Sequence, residues 1–460
     1  MLEQTAPLGG GGVLSGRVSQ SEEDATYRKV TWRIMPIILA AYILAFLDRI
    51  NVGYTQLQMK QDLGFSDAVY GFGAGVFFIS YLLLEVPSNL LLEKIGARLT
   101  FVRIMVPWGL CSAATMFVTE PWHFYTLRFL LGAFEAGFFP GVILYLTYWY
   151  PSHRRGRVTG LFLFGMPITG VIGGPLTGLI MSGMDGVNGW AGWQWAFLLE
   201  GLPTVFVGVL VYFLLADSPA TASWLSPREK QVVLATLQAD RKDERPGHGH
   251  GQGKLRAAFS DPRTYLLGFI YFCCACAVYT FTFWLPTLIR ELGVTSPAQI
   301  GWYTLPPFAF GALAILLMGW SSDRFRERRW HVAAGLIVGS LALFLTTTYL
   351  AGSLWTSIAG LCVAGFFIFG GGVVFWAIPP TYLSREAAAA GIAVISSMGI
   401  LGGFVSPTLI GFVKEWTGSI TGGLAFITAL ICVGGLATLI GVPANAARVG
   451  AAPRPGDAAP

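Results

Sequence analysis

The sequence predicts an all-α membrane protein whose twelve transmembrane helices form two pseudo-symmetric six-helix bundles. Of the 460 residues, 54% are hydrophobic and only 12% are charged, and the mean hydropathy is +0.60. A soluble chain carries about twice that share of charge. Apolar stretches long enough to cross a bilayer recur twelve times, and the two halves of the chain repeat each other's features. This composition excludes a soluble multidomain enzyme.

Each predicted span is an apolar stretch of about 20 residues, the length that a helix needs to cross the hydrocarbon core. Six spans make an N-terminal bundle, 28–216, and lie near 34–57, 70–92, 103–119, 123–149, 158–181 and 195–216. Six more make a C-terminal bundle, 263–443, and lie near 264–289, 298–320, 331–351, 355–383, 388–413 and 420–443. We expect a polar cytoplasmic linker over 217–262, a disordered cytoplasmic tail over 1–27 and a second cytoplasmic tail over 444–460.

The distribution of Lys and Arg predicts that both termini face the cytoplasm. Segments on the side of the N-terminus carry 25 of the 30 Lys and Arg residues. The loops on the opposite side hold only Lys60, Arg290 and Lys414. Because Lys and Arg collect in cytoplasmic loops, this asymmetry indicates the orientation. The net charge of +5 therefore reflects membrane topology and not nucleic-acid binding.

The two halves of the chain repeat each other at an offset of about 230 residues. The stretch 89–98 after span 2 corresponds to 319–329 after span 8. The Gly-Pro pair at 174–175 in span 5 corresponds to the Ser-Pro pair at 406–407 in span 11. Repeated bundles around a central site near the bilayer midplane are typical of alternating-access transport. A channel or a membrane enzyme has less need of such a repeat.

Charged residues inside the spans are functional candidates, because a charge in the hydrocarbon core is costly. All of those away from the span ends lie in the N-terminal half: Asp48, Arg49, Glu85, Arg128, Glu135 and Glu200. At 1.5 Å per residue, Arg49 lies about 22 Å from the start of span 1, and Arg128 lies about 8 Å from the outer end of the antiparallel span 4. In a core of about 30 Å these depths nearly coincide, so the two arginines can clamp one carboxylate.

We assign different roles to the acids and to the arginines of this level. Asp48 and Glu135 are expected to bind protons, and Arg49 and Arg128 are expected to bind an organic anion. In an empty carrier the ionised carboxylates would pair with the arginines, and protonation would free the arginines for the substrate. Arg128 and Glu135 are seven residues apart and share one face of span 4.

The residues after spans 2 and 8 resemble the loop signature of the major facilitator superfamily, Gly-x-x-x-Asp-Arg-x-Gly-Arg-Arg. The copy after span 8 keeps the glycine, the aspartate and the arginine, whereas the copy after span 2 has Asn89 for the glycine and Glu93 for the aspartate. The resemblance implies the major facilitator fold and a conformational latch that pairs carboxylates with arginines. The residues predicted to form this latch are Glu93, Arg98, Asp323 and Arg324.

Within that superfamily the chain is more closely similar to the anion:cation symporter family, over nearly all of 28–443. The most specific matches are 46–53 in span 1, 85–89 in span 2, 128–141 in span 4 and 193–203 in span 6. The resemblance implies uptake of an organic carboxylate, and bacterial members of the family use the inward proton gradient. We therefore expect a proton-coupled symporter in the bacterial inner membrane.

Side chains from several spans are expected to contact the substrate: Tyr81, Met166, Tyr279, Phe283, Phe375, Trp376 and Ser396. Sugar-acid transporters of the resembling family tend to have glutamine where Met166 falls and asparagine where Ser396 falls. Without these amides the cavity is less suited to polyols. An apolar cavity with a few polar anchors favours an aromatic carboxylate, phthalate-like or hydroxyphenylacetate-like, over tartrate or a sugar acid.

The remaining chemistry-bearing residues receive structural interpretations. They are Glu85 and Glu200, which lie closer to the ends of their spans than the acids assigned to proton binding, Cys273, Cys274 and Cys276 within span 7, and His248 and His250 in the linker. We therefore expect no metal and no cofactor. A monomer is expected because each chain holds both halves of the cavity.

Two alternatives stay open. One is a uniporter, exchanger or exporter of the same fold, and the other is a membrane receptor or enzyme without a transport cycle. The second alternative predicts a soluble catalytic or signalling domain, and no such domain is visible in the sequence.

Overall fold

The computed structural model describes residues 19–243, 259–349, 352–383 and 388–443, and every regular element there is helical. Twelve helices in these ranges are long and apolar enough to cross a membrane. We number them as spans 1 to 12 in chain order. The C-terminal tail over 444–460 and the histidines at 248 and 250 lie outside the described residues.

Spans 1 to 6 follow the predicted order. Span 1 is Gln20–Leu63, span 2 is Asp67–Ile95, and span 3 is Ala97–Ala114 with a 3₁₀ turn at Thr115–Phe117. Two spans are each built from a pair of helices: span 4 from Pro121–Glu135 and Phe138–Trp149, and span 5 from Ser152–Leu163 and Gly165–Gly183. A 3₁₀ turn at Val187–Gly189 precedes span 6, Gly192–Leu214.

The second half has the same number of spans. They are span 7, Pro262–Glu291; span 8, Pro297–Phe325; span 9, Arg329–Tyr349; span 10, Leu354–Phe375; span 11, Ala388–Thr417; and span 12, Ile420–Gly441. A short helix, Pro379–Tyr382, follows span 10.

The structure corrects two features of the predicted boundaries. Span 1 begins at Gln20, so the tail predicted to be disordered over 1–27 is helical from residue 20. Ser19 caps this helix, because its side chain accepts the backbone N–H of Glu22 at 3.2 Å. The linker 217–262 also contains a helix, Pro227–Asp243, which we call the linker helix. It is anchored to span 1 by an ion pair between Glu229 and Lys29 at 2.8 Å.

The two halves pack with the symmetry that the sequence repeat predicts. Span 2 packs on span 11, span 5 packs on span 8, and span 1 meets span 7 at the centre. Spans 2 and 5 correspond to spans 8 and 11 in the second half, so the first two contacts are equivalent. Glycines allow close approach here: a Cβ on Gly71 would lie 2.5 Å from the Pro407 carbonyl oxygen.

Contacts between the halves are concentrated at one end of the molecule, which we call the closed end and which holds residues 63–67. The hydrogen bonds that join the halves there are Tyr54–Thr304, Gln56–Thr287, Arg290–Leu57, Ala68–Glu415, Tyr70–Phe283, Thr408–Gly71 and Ala298–Ser182. Toward the opposite end, a cavity of about 220 Å³ lies between spans 2 and 4 of one half and span 11 of the other. The bundles therefore converge at the closed end and separate at the other.

Candidate functional site

A buried ion pair joins spans 1 and 4 in the middle of the first half. The Arg49 Nε donates to Glu135 Oε1 at 2.7 Å, and the Arg49 Nη2 lies 2.5 Å from the same oxygen. The side chain of Glu135 is fully buried, whereas that of Arg49 is 13% exposed. Within the described residues, Glu135 Oε2 has no hydrogen-bond partner. The pair therefore leaves acceptor capacity unused on the acid and keeps the arginine within reach of solvent.

The local sequence explains the position of Glu135. The first helix of span 4 ends at this residue, and Gly137 follows with φ 88°, a left-handed conformation that favours glycine. A Cβ on Gly137 would also collide with Ser88 of span 2. The second helix then starts at Phe138, with Pro140 in its first turn. Broken helices of this kind commonly surround substrate sites in transporters, and here the break lies beside the ion pair.

Aromatic rings surround the Arg49 guanidinium. Its Cζ lies 5.2 Å from the ring centre of Phe46, 5.3 Å from that of Phe77 and 5.1 Å from that of Tyr81. The phenol of Tyr279, from the other half, also interacts with this guanidinium. We call Phe46, Phe77, Tyr81 and Tyr279 the aromatic shell. Rings attract a cation through their negative faces, so this shell holds Arg49 in place without neutralising its charge.

Arg128 lies behind this shell. It is only 1% exposed, and its Cζ lies 5.2 Å from the ring centre of Phe77, the ring that Arg49 also contacts. The Arg128 Nε donates to the Gly73 carbonyl at 3.3 Å, and no group in the described part of the chain accepts a hydrogen bond from its Nη2. The two arginines predicted to lie at one level thus share Phe77, and Arg128 keeps an unused donor.

Asp48 points to the other side of span 1. Its carboxylate accepts hydrogen bonds from the Trp108 indole at 2.8 Å, from Ser112 at 2.5 Å and from Thr204 at 3.4 Å. These donors belong to spans 3 and 6, so Asp48 lies within the bundle and away from the aromatic shell. Adjacent residues on a helix differ by about 100° in direction, which explains why Asp48 and Arg49 face different sides.

The other predicted contact residues fall into two aromatic groups near the centre. Tyr279 and Phe283 of span 7 stack on each other at 5.8 Å, and both contact Phe78 of span 2. Phe375, the last residue of span 10, and Trp376, which follows it, both contact Tyr271, with ring centres 5.2 and 4.6 Å away. Sequence reasoning missed Phe77, Phe78 and Tyr271. The first of these could have been found, because Phe77 lies four residues before Tyr81 on the same helix face.

The last two predicted contact residues are Ser396 and Met166. Ser396 lines the 220 Å³ cavity together with Glu85 and Asn89. Met166 is partly buried next to the junction between the two helices of span 5.

The described latch residues make contacts within their own halves in this conformation. Arg98 donates from its side chain to the Tyr212 carbonyl and from its backbone to Asp217 at 2.9 Å. Asp323 pairs with Arg328 at 2.5 Å, and Arg324 is exposed. The side chain of Glu93 lies outside the described part of the structure.

The three basic residues predicted to lie outside converge at the closed end. Lys60, Arg290 and Lys414 line one cavity of about 470 Å³. Lys60 pairs with Asp67 in the first half, and Lys414 pairs with Glu291 at 2.7 Å in the second. Lys414 also lies 3.9 Å from Asp67, so the cluster spans both halves and helps to hold the closed end together.

Twelve spans in two bundles, joined at one end and carrying a buried ion pair beside a broken helix, define a polytopic membrane transporter. The chain belongs to the Major Facilitator Superfamily, whose family model matches residues 38–407 and 267–456. The protein is therefore a transporter and not an enzyme.

Named relatives cover almost the whole chain. A putative tartrate transporter of Agrobacterium vitis is 42% identical over 425 residues, which are 92% of this chain and 93% of that protein. The putative metabolite transport protein NicT of Pseudomonas putida is 45% identical over 395 residues, 86% of this chain and 89% of that protein. A solved bacterial homologue of the lysosomal transporter Spinster, inward-facing and occupied, matches with a TM-score of 0.71 at 15% identity. It covers 92% of this chain and 97% of its own, and it shows the fold alone.

Proposed function

We propose that the protein imports a small organic carboxylate together with protons, by alternating access across the bacterial inner membrane. The Arg49–Glu135 pair is the observation that carries this proposal. A substrate carboxylate and the Glu135 carboxylate would compete for the same guanidinium. A proton on Glu135 removes the competitor, so binding of the anion and binding of the proton favour each other.

The charges around Phe77 favour an anionic substrate. Arg49 and Arg128 both contact this ring, whereas Glu135 is the acid that pairs at this level. Arg128 is buried, and among the described residues its Nη2 has no hydrogen-bond partner, so it keeps a donor for a bound anion. A carboxylate with two oxygens would satisfy donors of this kind. Arg49 is the primary anion ligand in this proposal, and Arg128 joins it when the bundles close around the substrate.

The conformation fits import from the side of the closed end. Under the orientation predicted from Lys and Arg, the closed end faces the outside and the separated end faces the cytoplasm. The molecule would then be in an inward-facing state, ready to release substrate and proton. The cluster of Lys60, Arg290 and Lys414 would part when the closed end opens to receive the anion.

Ring geometry favours an aromatic acid as the substrate. Phe77, Tyr81 and Tyr279 surround the guanidinium, and Phe78 and Phe283 extend this shell into the second half. A flat ring would stack in this shell while its carboxylate meets Arg49. Tartrate is the second candidate, because a relative that spans nearly the whole chain is named as a putative tartrate transporter. Its hydroxyls would use the phenols of Tyr81 and Tyr279.

Uptake into proteoliposomes tests the proposal. Wild-type protein is reconstituted and supplied with labelled nicotinate, 4-hydroxyphenylacetate, phthalate or L-tartrate, with and without an inwardly directed proton gradient. We expect the gradient to concentrate one class of acid, and we expect Arg49→Ala to abolish this uptake. Glu135→Gln should still exchange substrate across the membrane but should no longer concentrate it. Equal accumulation with and without the gradient would contradict symport and favour a uniporter or an exchanger.

A further inference from the structure

Glu200 of span 6 is a second buried acid, on the side of span 1 away from Arg49. It is 2% exposed, and Thr177 of span 5 donates to its Oε1 at 2.7 Å. Among the described residues, no donor makes a hydrogen bond of ordinary geometry to Glu200 Oε2. The Asn51 amide of span 1 is fully buried and interacts with this carboxyl, but neither its Oδ1 nor its Nδ2 makes a hydrogen bond of ordinary geometry within the described part of the chain. Unpaired acid and amide atoms thus lie side by side in the bundle.

Asp48, the neighbouring acid, has more hydrogen-bond donors than Glu200 in the same bundle. Asp48 accepts three hydrogen bonds, from Trp108, Ser112 and Thr204. Glu200 accepts one. The titratable groups that face Glu200 from the described residues are Asp48 and Tyr54, both of span 1. Span 5 contributes the neutral Thr177, and span 3 packs against Gly201 through Gly109 and Ala113.

A carboxylate with one donor and no basic partner is costly to hold as an anion within a membrane bundle. A proton on Oε2 removes that cost and creates a donor. The Asn51 amide oxygen is then its natural acceptor, and the Thr177 bond to Oε1 is unaffected. A proton between Glu200 Oε2 and Asn51 Oδ1 gives both atoms a partner, whereas an Asn51 Nδ2–H donated to an ionised Glu200 would pair Oε2 without a proton. The infrared experiment below separates these two states.

We propose that Glu200, Asn51 and Thr177 form a proton-binding site of this transporter, separate from the Arg49–Glu135 pair. Glu200 holds the proton, Asn51 accepts it as a hydrogen bond, and Thr177 orients the carboxyl. The structural role predicted for Glu200 from the sequence is thereby replaced by a functional one.

The position of the site connects proton binding to the closed end. Tyr54, one helix turn from Asn51, interacts with Glu200 and donates to Thr304 of span 8 at 2.9 Å. Gly174 of span 5 packs against both Tyr54 and Thr304. A negative charge on Glu200 acts directly on this joint between the halves. Loss of the proton would therefore change the stability of the closed end, which is the step that alternating access requires.

Infrared difference spectroscopy of the full-length protein in lipid tests the site without any substrate. A protonated carboxyl in an apolar setting gives a resolved C=O stretch. We expect one such band at neutral pH in the wild type, lost in Glu200→Gln and retained in the matched variant Glu135→Gln. Asn51→Leu should shift that band to higher frequency, because it removes the acceptor. A Glu200→Gln spectrum that keeps every carboxyl band, in folded protein, would overturn the proposal.

The link to transport rests on the proposed function and has its own readout. In proteoliposomes with L-tartrate or nicotinate, Glu200→Gln should lower the number of protons carried per acid, whereas substrate exchange should persist. An unchanged proton ratio would overturn the transport role of Glu200. Absence of proton-driven uptake in the wild type would instead overturn the proposed symport, and the infrared band would still report proton binding at Glu200.

Discussion

Replacing Arg49 by alanine tests the ion pair by its effect on stability. Glu135 is fully buried, both donors to its Oε1 come from Arg49, and its Oε2 has no partner. Truncation of Arg49 would therefore leave a buried carboxylate without hydrogen bonds. Breaking a buried pair in this way costs about 3–5 kcal/mol. We expect about 3 kcal/mol, because the 13% exposure of Arg49 already allows some solvent screening.

The reverse substitution should cost less. Glu135→Gln leaves Arg49 with its ring contacts and its access to solvent, so we expect a loss of about 1 kcal/mol, the scale of one hydrogen bond. The double variant lacks the buried charge altogether. It should be more stable than Arg49→Ala alone, with a coupling free energy of about 2 kcal/mol between the two positions.

Unfolding in mixed micelles of a mild detergent and sodium dodecyl sulfate provides the four free energies of this cycle. Helicity should be followed at more than one pH. Lowering the pH should relieve the Arg49→Ala penalty, because a protonated carboxyl carries no charge. If the two single effects add within about 0.5 kcal/mol, the pair is not formed in solution and the competition between Glu135 and substrate has no basis.

Three further expectations follow from other contacts. Phe77→Ala removes the ring shared by both arginines and should weaken binding of an aromatic acid about tenfold while affecting tartrate less, as competition for uptake would show. Gly71→Val places side-chain atoms against the Pro407 carbonyl and should open the closed end, which labelling of a cysteine introduced there would detect. The Lys29 ammonium lowers the pKa of Glu229 through their hydrogen bond. The pair therefore stabilises the fold above the ordinary glutamate pKa, and this contribution is lost as the pH falls through the lowered value. Lys29→Met should remove this pH-dependent contribution, at most about 1 kcal/mol, as thermal unfolding at several pH values would show.

The sequence predicts most of the fold because lipid imposes simple requirements on each span. A span needs about 20 apolar residues with its backbone satisfied internally, and both requirements are visible in the sequence. The repeat of paired motifs predicts two pseudo-symmetric bundles, and the structure adds which spans meet across them, span 2 with span 11 and span 5 with span 8. Helix ends are harder to predict, because a helix can continue into polar residues beyond the apolar stretch that hydropathy detects. The helical start of span 1 at Gln20 is of this kind.

Part of the candidate site is also visible in the sequence. Depth predicts that Arg49 and Arg128 lie at one level, and the empty carrier is expected to pair its carboxylates with these arginines. In the structure Arg49 pairs with Glu135 and shares the Phe77 ring with Arg128. Depth alone does not determine which side of a helix a residue faces. Arg128 lies at the expected level, but its side chain lies behind Phe77, and only the packing of spans 2 and 4 decides this.

Span 1 shows how neighbouring residues come to serve different chemistry. Arg49 faces the aromatic shell and Glu135, whereas Asp48 and Asn51 face spans 3, 5 and 6. On this second side, Asp48 is saturated by donors and Glu200 is not. Under the two proposals, span 1 contributes Arg49 to the anion site on one side and Asn51 to the proton site of Glu200 on the other. A tilt of span 1 would then move both sites, and it would couple the two ligands without direct contact between the carboxylate substrate and the proton on Glu200.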